Sequence, residues 1–225
     1  LKVAENLVAI EEKILQACQK SGRNPEEITI VAVTKYVSAE RAQEAVAAGI
    51  TNLGENRDEG LSHKYSTMKQ KAVWHFIGSL QTKKVKNIID KVEYIHSLDR
   101  ISLAEEIQKR TDKQVKCFVQ VNVSGENSKR GIEPAEALEF IKSLEGFDRL
   151  SVAGLMTMAP LTDNESVLRS CFKKLKELQG EIQDARLGHA PCTELSMGMS
   201  NDFPIAIEEG ATIIRIGTAL VGEDS

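Results

Sequence analysis

Residues 29–40 read TIVAVTKYVSAE, and the reading of this stretch sets the reading of the whole chain. Ile30, Val31, Ala32 and Val33 form a short apolar run of the kind found in strands covered on both faces. The run ends at Thr34-Lys35. Ser38, a favourable helix N-cap, then opens a helical stretch. A lysine placed where a buried strand ends either reaches out to water or faces a ligand.

The same rhythm returns along the chain. Apolar runs fall at 28–35, 50–56, 74–80, 94–98, 115–123, 150–158, 194–200 and 213–220. Between them, helical periodicity marks 38–48, 57–70, 82–91, 99–111, 134–144, 163–185 and 201–209. Leu168, Cys171, Phe172, Leu175 and Leu178, for example, share one helix face. Glu133-Pro134 places a proline in a first helical turn, and Gly49 and Gly210 stop helices just before strands. An amphipathic segment over 1–21 precedes the first strand. Strand–helix alternation predicts a parallel sheet, and eight units predict a closed (β/α)₈ barrel with an extra amino-terminal helix. An open doubly wound sheet is the alternative. No G-x-G-x-x-G follows the first strand, which weakens a dinucleotide-binding version of it.

Composition narrows the function classes. With 28% charged and 41% hydrophobic residues, the 225-residue chain has the make-up of a soluble globular protein. The net charge of −4 implies no basic surface for nucleic acid, and Lys83, Lys84 and Lys86 read as a solvated helix start. The four cysteines form no C-x-x-C pair, which predicts reduced thiols and a cytoplasmic location. The four histidines lack metal-ligand spacing, so no metal is expected. No apolar run is long enough to span a membrane.

In a barrel of this kind the site lies at the carboxyl ends of the strands. Strand one ends in Lys35, strand two in Glu55-Asn56, and strand three carries His75 before Gly78-Ser79. Strand seven runs into Gly198, Met199 and Ser200, with a helix start near Asn201. Strand eight holds Arg215, Gly217 and Thr218. Loops after strands seven and eight often build a phosphate site, which Gly198, Ser200, Gly217 and Thr218 suit. The plainer reading is that these glycines only relieve crowding. Beside an anion site, Lys35 would face a semi-enclosed cavity, where desolvation favours the neutral amine and imine formation with a carbonyl. Aldehyde and phosphate in one ligand point to pyridoxal phosphate, with a phosphorylated sugar as the other candidate. An ion pair between Lys35 and Glu55 is the non-functional reading. Arg215 cannot shed its charge and needs an acceptor, either Glu194 or the ring nitrogen of a pyridoxal cofactor.

The segments VAVTK, GEN, WHFIGSLQ, GLMTMAP and LSMGMSNDFPIAIEEGATIIRIGTALVGE together resemble the YggS/PROSC family, the pyridoxal phosphate homeostasis proteins. The likeness runs from about residue 5 to residue 223 in the family's order, with Ser79 where many members have proline. The resemblance implies one domain over 1–225, a barrel like the amino-terminal domain of alanine racemase. It implies that Lys35 holds pyridoxal 5′-phosphate as an internal aldimine. Ser200, Gly217 and Thr218 would bind the phosphate, Arg215 would face the pyridine nitrogen, and Asn56, His75 and Met199 would lie near the cofactor. The family is thought to carry or buffer the cofactor in vitamin B6 and amino-acid homeostasis, without established catalysis.

Two other functions compete: a pyridoxal-phosphate-dependent racemase and a Schiff-base aldolase on a sugar phosphate. Racemisation needs acid–base groups on both faces of the substrate. Tyr36, next to Lys35, is expected to point the opposite way on a strand, and no second base is evident. The chain stops five residues after strand eight, so the racemase's second domain, and with it the usual dimer, is expected to be missing. An aldolase would carry its lysine on strand six, which has none. The expectation is a monomeric carrier whose partners are the cofactor and apo-enzymes that use it.

Overall fold

A computed structural model describes residues 3–68, 71–127 and 130–224. Its strands are β1 (Thr29–Val33), β2 (Asn52–Glu55), β3 (Val73–Phe76), β4 (Tyr94–Leu98), β5 (Val115–Gln120), β6 (Leu150–Met156), β7 (Glu194–Ser196) and β8 (Ile213–Ile216). Each pairs in parallel with its sequence neighbour, and β8 returns to β1, closing the barrel. The open-sheet alternative is thereby excluded.

The helices are α1 (Val3–Ser21), α2 (Ala39–Ala47), α3 (Asp58–Thr67), α4 (Val85–Ile88), α5 (Ile101–Arg110), α6 (Pro134–Lys142), α7 (Glu165–Asp184), α8 (Phe203–Glu208) and α9 (Thr218–Val221). Ser38 caps α2 by accepting from the Arg41 N–H at 3.2 Å, as its position predicts. The helix expected to run to Gln70 ends at Thr67; Gln70 itself lies outside the described residues. Helix α1 packs on α8 and α9, burying Val3, Leu7, Ile10, Ile14 and Cys18.

Most strands are shorter than the apolar runs that announce them. Strand β1 ends at Val33, so Lys35 and Tyr36 occupy a turn. The run 213–220 splits into β8 and α9 at Gly217, so Thr218 and Leu220 are helical. The physical reason is barrel geometry. Parallel pairing stops where the strands splay at the carboxyl mouth, and the chain turns outward there.

Most of the apolar core lies between the strands and the helical ring. The barrel interior is different. Only Val31, Phe118, Ala153, Met156 and Ile213 form its apolar cluster, with Tyr94 packed against it. The inward positions of β3, β4, β7 and β8 carry His75, His96, Ser196 and Arg215, all buried. These strands are therefore apolar toward the helices and carry buried polar side chains among their inward positions, rather than being apolar on both faces.

Two glycines contrast in what they permit. A Cβ on Gly154 would lie 1.9 Å from the Glu194 carbonyl oxygen, so only glycine lets β6 and β7 pair. Gly180, inside α7, has open space around it. Gly154→Ala is expected to destabilise the protein by about 3 kcal/mol through overpacking, whereas Gly180→Ala should stabilise it by about 0.5–1 kcal/mol. Urea unfolding of the two variants measures both.

Candidate functional site

The carboxyl ends of the strands surround a cavity of about 400 Å³, within the range of small-ligand pockets. Lys35, Asn56, Met199, Ser200, Arg215, Gly217 and Thr218 all line it, joined by Tyr36, Ser79 and Gln120.

Lys35 enters from the turn after β1. It is exposed at the cavity mouth, so the enclosure expected from its position is not found. Its Nζ lies 4.8 Å from the centre of the Tyr36 ring. The ion pair with Glu55, the non-functional alternative, does not form; Glu55 is engaged elsewhere. Lys64, buried on α3, donates from Nζ to Glu55 Oε1 and to the Thr34 carbonyl, the latter at 2.9 Å. The Thr34 hydroxyl donates to the same Glu55 oxygen at 3.0 Å. This buried cluster grips the backbone just before Lys35 and engages the Glu55 carboxylate. The Lys35 amine is left to the cavity.

Tyr36 corrects a sequence expectation. Alternation along a strand would send it away from Lys35, but β1 has ended two residues before Lys35 and the turn brings both side chains to one cavity.

Gly198, at φ +101°, lets β7 turn sharply into α8 and carries Met199 and Ser200 to the rim. Asp202 holds the turn by accepting from the Met199 N–H at 2.7 Å, and burial pushes its carboxyl pKa up. At Gly217 packing does not require glycine. A Cβ there would meet only Val33, at an ordinary 3.6 Å. Since both residues line the cavity, that Cβ would instead occupy ligand space.

Arg215 is 4% exposed. It donates from Nη1 to Ser196 Oγ and from Nη2 to the Thr157 carbonyl at 3.1 Å. Both acceptors are neutral, so the expected alternative, Glu194, is not its partner. Burial lowers its pKa to about 10, a guanidinium still charged at neutral pH. A buried cation with uncharged partners, on the wall of a cavity beside a free amine, suits an electron-rich or anionic ligand.

His75 does not line the cavity and is corrected here. It faces the barrel axis deeper than the cavity, stacked on Tyr94 with ring centroids 4.3 Å apart. Its Nδ1 lies 2.8 Å from His96 Nε2, and its Nε2 lies 2.9 Å from Asn52 Oδ1. His96 Nδ1 in turn lies 2.9 Å from Ser196 Oγ. Sequence reading missed His96, Ser196, Thr157 and Lys64. Period-two placement of His75, His96, Ser196 and Arg215 on neighbouring strands was the available signal.

Among the described residues no cluster of His, Cys, Asp and Glu could hold a metal ion. No helix among them is long and apolar enough to cross a membrane.

A closed parallel barrel with a free lysine after its first strand and a buried arginine on its last is a barrel of the alanine racemase amino-terminal class. The family profile described as "Alanine racemase, N-terminal domain" matches residues 6–225. A pyridoxal phosphate homeostasis protein of Aquifex aeolicus is 42% identical over 227 residues, covering 99% of each chain. The chain belongs to the family of pyridoxal phosphate homeostasis proteins. The structure of PipY of Synechococcus elongatus with PLP bound superposes with a TM-score of 0.84 at 31% identity, covering 98% of this chain and 100% of that one. An alanine racemase of Clostridium difficile shares the fold at a TM-score of 0.79 and 14% identity; this chain covers 56% of its length.

Two outcomes follow for stability. Lys64→Met strands the buried Glu55 carboxylate and is expected to cost about 3–5 kcal/mol in chemical denaturation. Burial holds His75 neutral, its pKa down to about 3, and holds His96 well below its usual value. Below about pH 6.5 the unfolded chain takes up protons that the folded one refuses. Stability should therefore fall as pH drops from 6.5 toward the folded value, by about 1.4 kcal/mol per pH unit for each imidazole. Urea titrations at pH 7 and pH 5 test this, and His96→Phe should flatten the slope.

Proposed function

We propose that this protein binds pyridoxal 5′-phosphate in the cavity at the carboxyl mouth of its barrel and carries it. On this reading it acts as a single-domain, monomeric, cytoplasmic buffer of the cofactor. The observation that carries the proposal is the pairing of residues in one cavity. Lys35 offers an amine that forms no ion pair among the described residues, and Arg215 presents a buried cation whose hydrogen-bond acceptors are neutral, with the Asp202 carboxylate acting on it through space. The absent side chain at Gly217 leaves room between them and Val33.

Bound pyridoxal phosphate supplies an aldehyde that condenses reversibly with an amine, with loss of water. Lys35 provides that amine. The Ser200 and Thr218 hydroxyls and the Gly217 backbone provide the phosphate site. Arg215, a pure donor, leaves the ring nitrogen unprotonated, which disfavours carbanion chemistry. Asn56 and Met199 wall the ring. Because Lys35 is exposed at the cavity mouth, free amines in water would have access to a cofactor held there, which would suit release to apo-enzymes over retention.

Tyr36 is the one observation that favours a racemase reading, since it adds a phenol to the cavity. Its ring lies against Lys35, with Nζ 4.8 Å from the ring centre, so the two groups are neighbours. Racemisation needs them on opposite faces.

Purified protein mixed with pyridoxal phosphate is expected to develop a visible absorption band that borohydride fixes to the Lys35 peptide. Lys35→Ala should abolish both signals while leaving the thermal transition within about 2 °C, as for a surface substitution. A Lys35→Ala variant that still bound the cofactor covalently would overturn the proposal. Loaded protein should also restore an apo-enzyme and pass cofactor to free lysine. Light scattering should return a mass near 24.8 kDa.

A further inference from the structure

The polar residues inside the barrel form one connected path. Arg215 bonds to Ser196, Ser196 to His96, His96 to His75, and His75 to Asn52. Asn52 starts β2, at the amino-terminal end of the barrel, and is half-buried. The path therefore runs from the cavity down to the opposite mouth.

Its direction follows from the chemistry of its first member. A guanidinium has five N–H donors and no acceptor, so Ser196 Oγ must accept from Arg215. Ser196 has one hydroxyl proton, and His96 Nδ1 is its acceptor at 2.9 Å. A neutral His96 then carries its proton on Nε2 and donates it to His75 Nδ1. His75 likewise carries its proton on Nε2 and donates it to Asn52 Oδ1. The reverse assignment would aim two donors at Ser196 Oγ and strand its hydroxyl proton in a buried site, at a cost of roughly 1–3 kcal/mol. In the forward direction every link is satisfied. The buried side-chain polar atom without a partner among the described residues is Ser97 Oγ, which is not in the path.

The rings are also fixed sideways. His75 stacks on Tyr94 at 4° between planes, and His96 on Phe118 with centroids 4.4 Å apart. Burial keeps both imidazoles uncharged, which a one-way path requires.

We infer that Ser196, His96, His75 and Asn52 are positioning residues, a one-way chain of hydrogen bonds that holds the Arg215 guanidinium toward the ring nitrogen of bound pyridoxal phosphate. The inference rests on the cofactor reading above. The Thr157 carbonyl fixes one edge of the guanidinium and Ser196 the other, and the histidines dictate which way the Ser196 hydroxyl points. The lone pairs of that hydroxyl are thereby kept for Arg215. This chain makes up the polar part of a barrel interior that is otherwise filled by Val31, Phe118, Ala153, Met156 and Ile213.

The test has two readouts. In the ligand-free protein, side-chain ¹⁵N NMR of labelled histidine should show His75 and His96 as neutral Nε2–H tautomers between about pH 5 and 8, where an ordinary histidine titrates. With pyridoxal phosphate added, Ser196→Ala should weaken binding about tenfold and shift the visible band, because Arg215 loses a partner. Asn52→Leu, at the half-buried far end, should disturb the His75 tautomer and weaken binding about threefold, and Asn52→Asp should restore both. The Asn52 pair carries the test if Ser196→Ala does not fold. Nδ1–H tautomers or imidazolium signals in the unsubstituted protein would overturn the chain. Folded Ser196→Ala and Asn52→Leu variants with unchanged affinity and spectrum would overturn its role. If the unsubstituted protein shows the expected tautomers but takes up no pyridoxal phosphate, the cofactor reading fails, and the role toward that ligand falls with it.

Discussion

A guanidinium cannot surrender its proton to escape burial, and Arg215 is enclosed by a closed barrel with two uncharged oxygens as partners. Removing such a charge from water costs several kcal/mol unless its surroundings replace the lost hydration. Much of the interior is arranged to that end. Ser196 and the Thr157 carbonyl sit at its edges, and Thr157 is itself anchored by donating from Oγ1 to the Val121 carbonyl at 2.8 Å. Behind Ser196 stand two histidines that burial keeps neutral. The apolar contribution to stability comes instead from the layer between strands and helices, where most core residues lie.

The cavity depends on a second arrangement at the opposite wall. Lys35 forms no ion pair with Glu55, which is buried beside the end of β1 and bonded through Oε1 to Thr34 and to Lys64. The same lysine bonds the Thr34 carbonyl, so one buried ammonium both occupies the carboxylate and fixes the backbone from which the free amine projects. Two lysines thus divide the work, one structural and buried, the other left unpaired at the mouth. Their different fates follow from the turn after Val33, which lifts Lys35 out of the sheet while α3 delivers Lys64 beneath it.

The fold was legible because it rests on period. Eight apolar runs alternating with amphipathic helices have few solutions other than a closed barrel, and β4 was bounded to the residue. The strand ends were harder, since an apolar run does not reveal where pairing stops; Gly217 divides one such run into strand and helix. Lys35, Ser200, Arg215, Gly217 and Thr218 stood out as candidates because lysine, arginine, serine, threonine and glycine at strand ends suit anion chemistry, whereas Asn56 and Met199, which also line the cavity, were indicated by the family resemblance. His75 was misplaced because its sequence neighbourhood resembles a site, whereas inward-facing geometry puts it below the cavity. Lys64 and Ser196 were invisible for the opposite reason. One looks like an ordinary helix lysine and the other like an ordinary strand serine, and only the three-dimensional contact of distant elements gives them a task.

The lining of the cavity has a chemical consequence of its own. The side chains of Cys18, Cys117, Cys171 and Cys192 are all buried, and the histidines among the described residues do not line the cavity. Among the described residues its walls offer methionine thioethers, amides, hydroxyls, the Arg215 guanidinium and one amine. An electrophile entering from water therefore meets a single strong nitrogen nucleophile, without a competing sulfur or imidazole. Selectivity for one adduct is written into which atoms were kept out of reach.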